Sequence, residues 1–286
     1  MDKERCVAVL GPGLLGGSVA LAARERFPGS ILIWGRRSTI REPLLDLGFD
    51  ESEVTHDLEE VAHRADFLVL ATPVGIMGRI VESLIAAGLG KEGSPVVTDV
   101  GSVKAVLQAS CHRPLREAGV PFVGAHPMAG SEHAGLLHAR ANLFEGARCI
   151  LTPGEGNPAE GEALVETFWR ELGTEVEWMG AEDHDSMIAR VSHLPHAAAA
   201  AIILAALDED PTIGRLSGGG LKDTTRVAGG PAEMWQEILD ENREAVVPSL
   251  ESLQVKVADL LALLQNRDKE GLVRFLERAR ALRRGL

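Results

Sequence analysis

The sequence is poor in cysteine, in positive charge and in long apolar runs, and each shortage excludes a class of protein. An odd number of cysteines without CxxC spacing predicts reduced, structural thiols and no disulfide framework: Cys6, Cys111 and Cys149. The 29 Lys and Arg residues stand against 42 Asp and Glu, and the net charge of -13 disfavours nucleic acid and anionic membrane as partners. The longest apolar run, 197–207, is shorter than the roughly 20 residues that span a bilayer and predicts a buried helix.

The order of the predicted elements divides the chain into two parts. Residues 1–5 are charged and lead directly into a strand, so we expect no secretory signal and a cytoplasmic protein. The 286 residues, 45% of them hydrophobic, are enough for two domains of ordinary size. Strand-like and helical segments alternate up to about residue 180, and only helical segments follow. This order predicts an α/β domain over residues 1–180 and an all-helical domain over residues 181–286.

A glycine-rich turn joins the first predicted strand to the first helix. The segment GPGLLGGS contains the GxGxxG pattern, in which Gly11 permits the tight turn, Gly13 lets the backbone approach a pyrophosphate, and Gly16 allows close helix packing. Leu14 and Leu15 stand at the helix amino terminus, whose free N–H groups favour phosphate. We therefore predict that the first domain is a Rossmann domain that binds a dinucleotide. The alternative is a purely structural glycine turn.

The second predicted strand ends in the basic tripeptide Arg36-Arg37-Ser38. An acid near this position binds the ribose hydroxyls of NAD, whereas an arginine accommodates the 2′-phosphate of NADP. Two arginines stand where the acid would be, so the sequence predicts NADP over NAD, with NAD possible. The alternative is a solvated basic turn.

Three later strands bring polar residues to the same carboxyl edge of the sheet, where open α/β sheets bind their ligands. Thr72 and Pro73 follow one strand and are predicted to lie beside the nicotinamide ring, unless they simply terminate that strand. His126 ends a parallel strand over residues 121–125 and stands where a general base is wanted; capping or packing is its alternative role. Ser102 either caps the helix that follows it or shares a substrate hydroxyl with His126.

The helical half begins with a predicted long helix, residues 182–207, which Pro195 is expected to kink. This helix carries His184, His193 and His196, and the last two share one face. No carboxylate or cysteine stands at ligand spacing beside that pair. We therefore expect a polar cluster that faces a ligand pocket, and no metal.

The remaining helices carry a basic pair and an apolar stripe. Lys222 and Arg226 lie one helical turn apart and are a candidate anion-binding pair; the alternative is a solvated or salt-bridged pair. Two helices are predicted on either side of a stop at Pro248. An apolar stripe on the second helix suits a dimer seam as well as an internal core: Leu253, Val257, Leu260, Leu261 and Leu264.

Six motifs, in this order, resemble the prephenate and arogenate dehydrogenase family of tyrosine biosynthesis: GPGLLGGS, ATPV, TDVGSVK, GAHPMAGSE, SHLPH and GGGLKDTTR. The resemblance reaches from the first strand to about Trp235. It implies an amino-terminal Rossmann domain and a helical domain through which two chains form a homodimer. It also implies that a small-molecule substrate, prephenate or arogenate, is oxidised at its 4-hydroxyl with NAD(P) and loses carbon dioxide.

The resemblance further implies roles for single residues. The family's catalytic histidine falls on His126, and the serine that works beside it and the cofactor falls on Ser102. The histidine that helps to hold the substrate falls on His196, and the arginine for the substrate carboxylate on Arg226. Supporting contacts with the substrate are implied for a further group of polar residues: Ser131, Glu132, His184, His193 and Lys222.

Some alternatives stay open at the level of the sequence. Arg36 and Arg37 depart from the acid of many relatives, which puts the use of NAD in doubt. β-Hydroxyacid dehydrogenases and imine reductases also join a Rossmann domain to a helical one, but they rely on a lysine or on no side-chain base, so His126 argues against them. A catalytically silent NADP-binding sensor would need the glycine loop without the catalytic and substrate residues.

Overall fold

The computed structural model describes residues 5–91, 93, 95–129 and 135–286. In this part of the chain eight strands form one sheet: β1 (Arg5–Leu10), β2 (Gly29–Trp34), β3 (Val54–Thr55), β4 (Phe67–Leu70), β5 (Val96–Asp99), β6 (Phe122–Pro127), β7 (Arg148–Thr152) and β8 (Glu175–Trp178). Their order is β3-β2-β1-β4-β5-β6-β7-β8. All neighbours are parallel except β6 and β7. The order of the first six strands is that of a dinucleotide-binding sheet and confirms the predicted Rossmann domain.

The sheet is apolar on both faces because helices cover both of them. In the central strand β1, Val7 and Val9 face one core, while Ala8 and Leu10 face the other. The helices of this half of the chain are α1 (Leu14–Arg26), α2 (Arg41–Asp46), α3 (Leu58–Arg64), α4 (Val74–Ala86), α5 (Ala105–Leu107), α6 (Arg113–Glu117) and α7 (Ala159–Glu171). Helices α1 and α7 contribute to the first core, and α3, α4 and α6 to the second.

Strand β6 is longer than the sequence suggests. Its first two residues pair with β5 in parallel, but its last four pair with β7 in antiparallel orientation. The predicted end at Ala125 is therefore wrong, and His126 lies inside the strand, opposite Ile150 of β7. The antiparallel partner continues the ladder beyond the apolar stretch, which a local pattern does not reveal.

All described elements from Ala181 onward are helical: α8 (Ala181–Ile188), α9 (Leu194–Leu207), α10 (Gly219–Thr225), α11 (Ala232–Glu241), α12 (Arg243–Gln265) and α13 (Lys269–Arg283), with short 3-10 turns between them. A π-helical segment, Ala189–His193, joins α8 to α9 in one continuous helix, as predicted. This irregular segment directly precedes Pro195, which lacks the N–H of a regular turn.

The apolar run in α9 is not the buried helix that the sequence predicts. By length and composition the helix Ala181–Leu207 could cross a membrane, yet only 28% of its most apolar window is buried. Leu204 is 59% exposed because no element among the described residues covers this face. The stripe on α12 is similar, since Val257 and Leu261 are also more than half exposed.

Pro248 lies inside α12 and does not end a helix, so the predicted stop is wrong. The break falls at Asn242 instead, between α11 and α12. The buried side-chain amide of Asn242 donates to the backbone oxygen of Asp185 and to Nδ1 of His193, both at 3.0 Å. These tertiary bonds fix the break. Helix α12 tolerates Pro248 because the other hydrogen bonds of its 23 residues offset the one that the proline removes.

Candidate functional site

A cleft of about 520 Å³ lies between the ends of β1, β2 and β4 and the first three turns of α4. Six of the predicted cofactor residues line it: Gly11, Gly13, Arg36, Arg37, Thr72 and Pro73. Four others lie next to the cleft without lining it, in the first turn of α1 and at the start of a 3-10 turn: Leu14, Leu15, Gly16 and Ser38.

The glycines of the turn fit a bound dinucleotide for separate reasons. Gly11 has φ +103°, and a Cβ there would lie 2.7 Å from the carbonyl oxygen of Ala71. A Cβ at Gly16 would overlap the carbonyl oxygen of Gly11. At Gly13, by contrast, a Cβ would meet no atom of the described residues within 4 Å. Packing alone therefore explains two of the glycines, while Gly13 opens the backbone to the cleft, where a pyrophosphate would approach it.

Arg36, Arg37 and Arg79 make the cleft positive. No Asp or Glu lines it, and within the described ranges none of the three arginines forms an ion pair. Thr72 adds a hydroxyl whose Oγ1 is buried and has no hydrogen-bond partner in the described part of the chain. These groups suit a polyanionic ligand with additional polar atoms.

A hydrogen-bonded chain, His126–His184–Asp185, runs from the sheet into the helical domain. Nδ1 of His184 lies 2.7 Å from Oδ1 of Asp185, and the carboxylate can only accept, so this nitrogen donates. Nε2 of His184 then accepts from Nδ1 of His126 at 2.8 Å. The arrangement places the lone pair of His126 on its Nε2, as a general base requires.

The same surroundings keep the His126 ring neutral. Burial lowers its pKa well below the ordinary 6.5, and Coulombic interactions with His184, Lys104 and His193 lower it further. Burial likewise lowers the pKa of His193 to about 4, against an opposing effect of Asp185. A neutral imidazole can accept a proton at physiological pH.

Asp185, and not Ser102, caps the helix after β5. The helix begins at Ala105 without a cap from its own segment, and Ser102 lies in a bend before it. Oδ1 and Oδ2 of Asp185 accept the backbone N–H groups of Lys104 and Ala105, each at 2.8 Å. The capping role, which the sequence left open as an alternative for Ser102, is therefore excluded, because a residue from the helical domain satisfies those groups. Ser102 remains half-buried near the end of β5.

A fully buried ion pair lies beneath the histidines. Lys104 Nζ binds Asp99 Oδ2, and both side chains are inaccessible to solvent. Asp99 also accepts the backbone N–H groups of Gly101 at 2.7 Å and Ala125 at 2.9 Å. The carboxylate thus fixes the strand that carries His126, and its three partners satisfy a charge that would otherwise be costly to bury.

His193 and His196 both lie against the indole ring of Trp235 in the helical domain. The His196 ring stacks on Trp235 with centroids 3.4 Å apart, and the His193 ring meets it edge-on at 6.1 Å. Nδ1 of His196 is buried without a partner among the residues described. Within those same residues no group of three or more His, Cys, Asp or Glu side chains could hold a metal ion.

The remaining predicted substrate residues lie on α10 and the turn after it, or outside the described ranges. Lys222 is exposed on α10, and Arg226 is exposed at the start of the next 3-10 turn, Arg226–Gly229. That turn leads to Gly230, where a Cβ would lie 3.4 Å from the His196 ring. Ser131 and Glu132 fall outside the described residues.

Sequence reasoning missed several residues that organise the site. Arg79 lines the cleft, and the others are polar or aromatic residues held mainly by partners distant in sequence: Asp99, Lys104, Asp185, Asn242 and Trp235. Asp99 could have been found from the sequence, because it is the one charged residue in the apolar run PVVTDV. No local pattern distinguishes Asp185 from the other acids of its helix.

Comparison with known proteins agrees with this geometry. The family model described as "Prephenate dehydrogenase, nucleotide-binding domain" matches residues 20–178, and "Prephenate dehydrogenase, dimerization domain" matches residues 180–278. Cyclohexadienyl dehydrogenase of Zymomonas mobilis is 30% identical over all of this chain and 97% of its own length. Prephenate dehydrogenase of Lactococcus lactis is 28% identical over 98% of this chain and 77% of its own.

Solved structures extend the comparison. Prephenate dehydrogenase from A. aeolicus, in complex with hydroxyphenyl propionate and NAD+, superposes with a TM-score of 0.89 at 33% identity, covering 99% of this chain and 98% of its own. Synechocystis arogenate dehydrogenase gives 0.79 at 29% identity, covering 98% and 99%. Mycobacterium tuberculosis 3-hydroxyisobutyrate dehydrogenase, at 0.54 and 16% over 81% of this chain and 73% of its own, shares the fold alone. The chain belongs to the prephenate dehydrogenase family of nicotinamide-dependent oxidoreductases.

Proposed function

We propose that this enzyme oxidises and decarboxylates prephenate, or the related arogenate, at the cluster of His126, His184 and His193, with NADP preferred over NAD. The observation that carries the proposal is the hydrogen-bonded chain from His126 through His184 to Asp185, which leaves a basic lone pair on His126. The related enzymes from L. lactis and Synechocystis carry the two substrates in their names.

His126 acts as the general base in this proposal. Its Nε2 takes the proton from the 4-hydroxyl of the ring, and the positive charge that forms is stabilised through His184 by the carboxylate of Asp185. A bound nicotinamide would supply the acceptor for the hydride that leaves the carbon bearing this oxygen. The ring becomes aromatic as its carboxylate leaves as carbon dioxide, and the protonated His126 returns its proton to the phenolate oxygen. Ser102, half-buried after β5, holds the hydroxyl beside His126.

The substrate's other groups are assigned to the helical domain. Arg226 supplies a bidentate grip on a carboxylate, and Lys222, one turn earlier on α10, adds charge. His196, stacked on Trp235, contacts the substrate and its water with an Nδ1 that has no partner among the described residues, and His193 supports it. Two residues outside the described ranges are proposed to border this pocket: Ser131 and Glu132.

The cofactor site follows from the cleft. Gly11, Gly13 and the first turn of α1 (with Leu14, Leu15 and Gly16) hold the pyrophosphate, and Thr72 and Pro73 border the nicotinamide. Arg36, Arg37 and Ser38 hold the 2′-phosphate of NADP. The NAD+ complex of the A. aeolicus relative makes NAD the natural competitor in any assay.

We further propose that two chains form a homodimer in the cytoplasm through a domain that begins at residue 181. The family model for this region is named for dimerisation, and the exposed apolar faces of α9 and α12 need a cover. A partner subunit would bury Leu204, Val257 and Leu261 and account for the apolar helix Ala181–Leu207 without a membrane. Neither nucleic acid nor membrane is proposed as a partner.

The decisive experiment is a kinetic assay of both substrates with both cofactors, followed by absorbance of the reduced nicotinamide and by release of carbon dioxide. We expect turnover of at least one substrate, with a higher kcat/KM for NADP than for NAD. No turnover with any of the four combinations would contradict the proposed reaction. A higher kcat/KM with NAD would contradict the cofactor assignment alone.

A further inference from the structure

We propose that Arg79 is a third phosphate-binding residue. It binds the 2′-phosphate of NADP from the wall of the cleft formed by α4, across from the wall that carries Arg36 and Arg37. Arg79 is exposed and lines the same cleft as this pair, although 42 residues separate it from Arg37 in sequence. The inference rests on the proposed preference for NADP and adds a specificity residue outside the strand-end turn.

The side of α4 that faces the cleft carries a regular pattern. Ile76, Arg79, Ile80 and Ser83 all line the cleft, and their i, i+3, i+4, i+7 spacing places them along one face of the helix. Ile40, which follows the Arg36-Arg37 turn, also lines it. Apolar side chains thus stand on both walls, as an adenine ring requires, with a guanidinium group beside them on each wall.

The amino terminus of α4 already binds a carboxylate. The backbone N–H of Gly75 already donates to Oε1 of Glu237, from α11, at 2.6 Å. That carboxylate satisfies a free N–H group and offsets the positive end of the helix dipole. Positive charge on this wall must therefore come from a side chain, and Arg79 is the only cationic residue of α4.

The charge of the whole molecule makes such a cluster informative. With a net charge of -13, an exposed arginine has many carboxylates to choose from, and several do form ion pairs, as Arg116 does with Glu155. Within the described ranges Arg36, Arg37 and Arg79 have no such partner. Three unpaired guanidinium groups around one cleft match the dianionic 2′-phosphate of NADP better than the neutral 2′-hydroxyl that NAD has at that position.

The test is calorimetric binding of 2′,5′-ADP and of 5′-ADP, which differ by the 2′-phosphate, to the dimeric enzyme and its variants. We expect Arg79→Ala and Arg79→Gln to bind 2′,5′-ADP about tenfold to a hundredfold more weakly, the range for hydrogen bonds to a charged group. Binding of 5′-ADP should change by less than about threefold. Arg113→Ala, which removes an exposed arginine of α6 outside the cleft, is the control with the same change in charge.

The outcomes separate the two proposals. A wild-type enzyme that binds both ligands equally well overturns the NADP preference and the role of Arg79 with it. If the wild type prefers 2′,5′-ADP and both Arg79 variants keep that preference, the NADP preference stands and the role of Arg79 is wrong. An equal loss for both ligands also overturns the proposal, because it assigns Arg79 to a part of the nucleotide that NAD shares. Unchanged thermal midpoints would show that the variants fold.

Discussion

The nucleotide cleft and the histidine cluster are built from the chain in different ways. The cleft takes its lining from residues 11–13, 34–40 and 71–83, which are strand ends with the turns and helix that follow them. The histidine cluster joins Asp99 and His126 of the sheet to Asp185 and Asn242 of the helical domain. Its parts are held by buried hydrogen bonds across long sequence separations. We therefore expect changes in the cleft to alter cofactor binding, and changes in the cluster to alter turnover and stability together.

The largest effect is expected at the base itself. His126→Asn removes the nitrogen that takes the substrate proton, and should reduce kcat by roughly 10²-fold to 10⁴-fold, the usual share of a positioned base. Cofactor binding, measured by quenching of tryptophan fluorescence, should be unchanged because His126 does not line the cleft. Normal turnover in this variant would show that another group is the base.

Acid should destabilise the cluster before it affects the cleft. The folded pKa of His193, about 4, lies below its ordinary value of 6.5, so the unfolded chain takes up the proton first. The stability that this group contributes is complete above pH 6.5 and is lost as the pH falls toward 4. One pKa unit corresponds to about 1.4 kcal/mol. The difference between 6.5 and about 4 therefore limits the loss to about 3 kcal/mol.

Urea unfolding of the wild type and of His193→Gln between pH 7.5 and pH 4 isolates this contribution. The variant should lose less stability over that range, because Gln has no proton to take up. Parallel curves for the two proteins would mean that His193 is not responsible.

The glycine turn provides a matched pair of substitutions in the cleft. Gly16→Ala forces a Cβ onto the Gly11 carbonyl and should cost about 1–3 kcal/mol of unfolding free energy, as overpacking does. Gly13→Ala meets no protein atom and should leave stability unchanged while it weakens cofactor binding. Thermal unfolding and calorimetric titration with NADP measure the two effects. Undiminished affinity in Gly13→Ala would place the pyrophosphate elsewhere.

His184 should have the smallest effect on turnover, because it acts through His126. His184→Asn removes the acceptor that orients the His126 ring and a titratable neighbour whose Coulombic effect lowers the pKa of His126. We expect kcat to fall about tenfold and the acid limb of the kcat/KM profile to move to higher pH. A lower kcat without any movement of that limb would indicate a structural role only.

The same contrast explains how much the sequence revealed. The GxGxxG turn, the strand order and the arginines after β2 follow from local patterns, and the structure brings Gly11, Gly13, Arg36 and Arg37 to one cleft as expected. The cap of α5 does not follow from a local pattern. Ser102 is the local candidate, but the residue that caps the helix is Asp185, 80 residues from Ala105. Local patterns also misplaced the helix break at Pro248, because the bonds of Asn242 decide it.

The apolar faces of the helical domain illustrate a further limit. A stripe such as that of Val257 and Leu261 predicts burial, but a sequence does not say whether the covering surface belongs to the same chain. In the single chain both residues are more than half exposed. Whether these residues are buried thus depends on association between chains, which the periodicity of one sequence does not reveal.

The proposed mechanism depends most on the protonation state of His126. NMR titration of ¹⁵N-labelled histidine rings measures this state directly, and the His126→Asn variant assigns the signal. We predict a neutral ring with its proton on Nδ1 at pH 7 and a midpoint well below 6.5. A ring that titrates at or above 6.5, or that carries its proton on Nε2 when neutral, would contradict the assignment of His126 as the base.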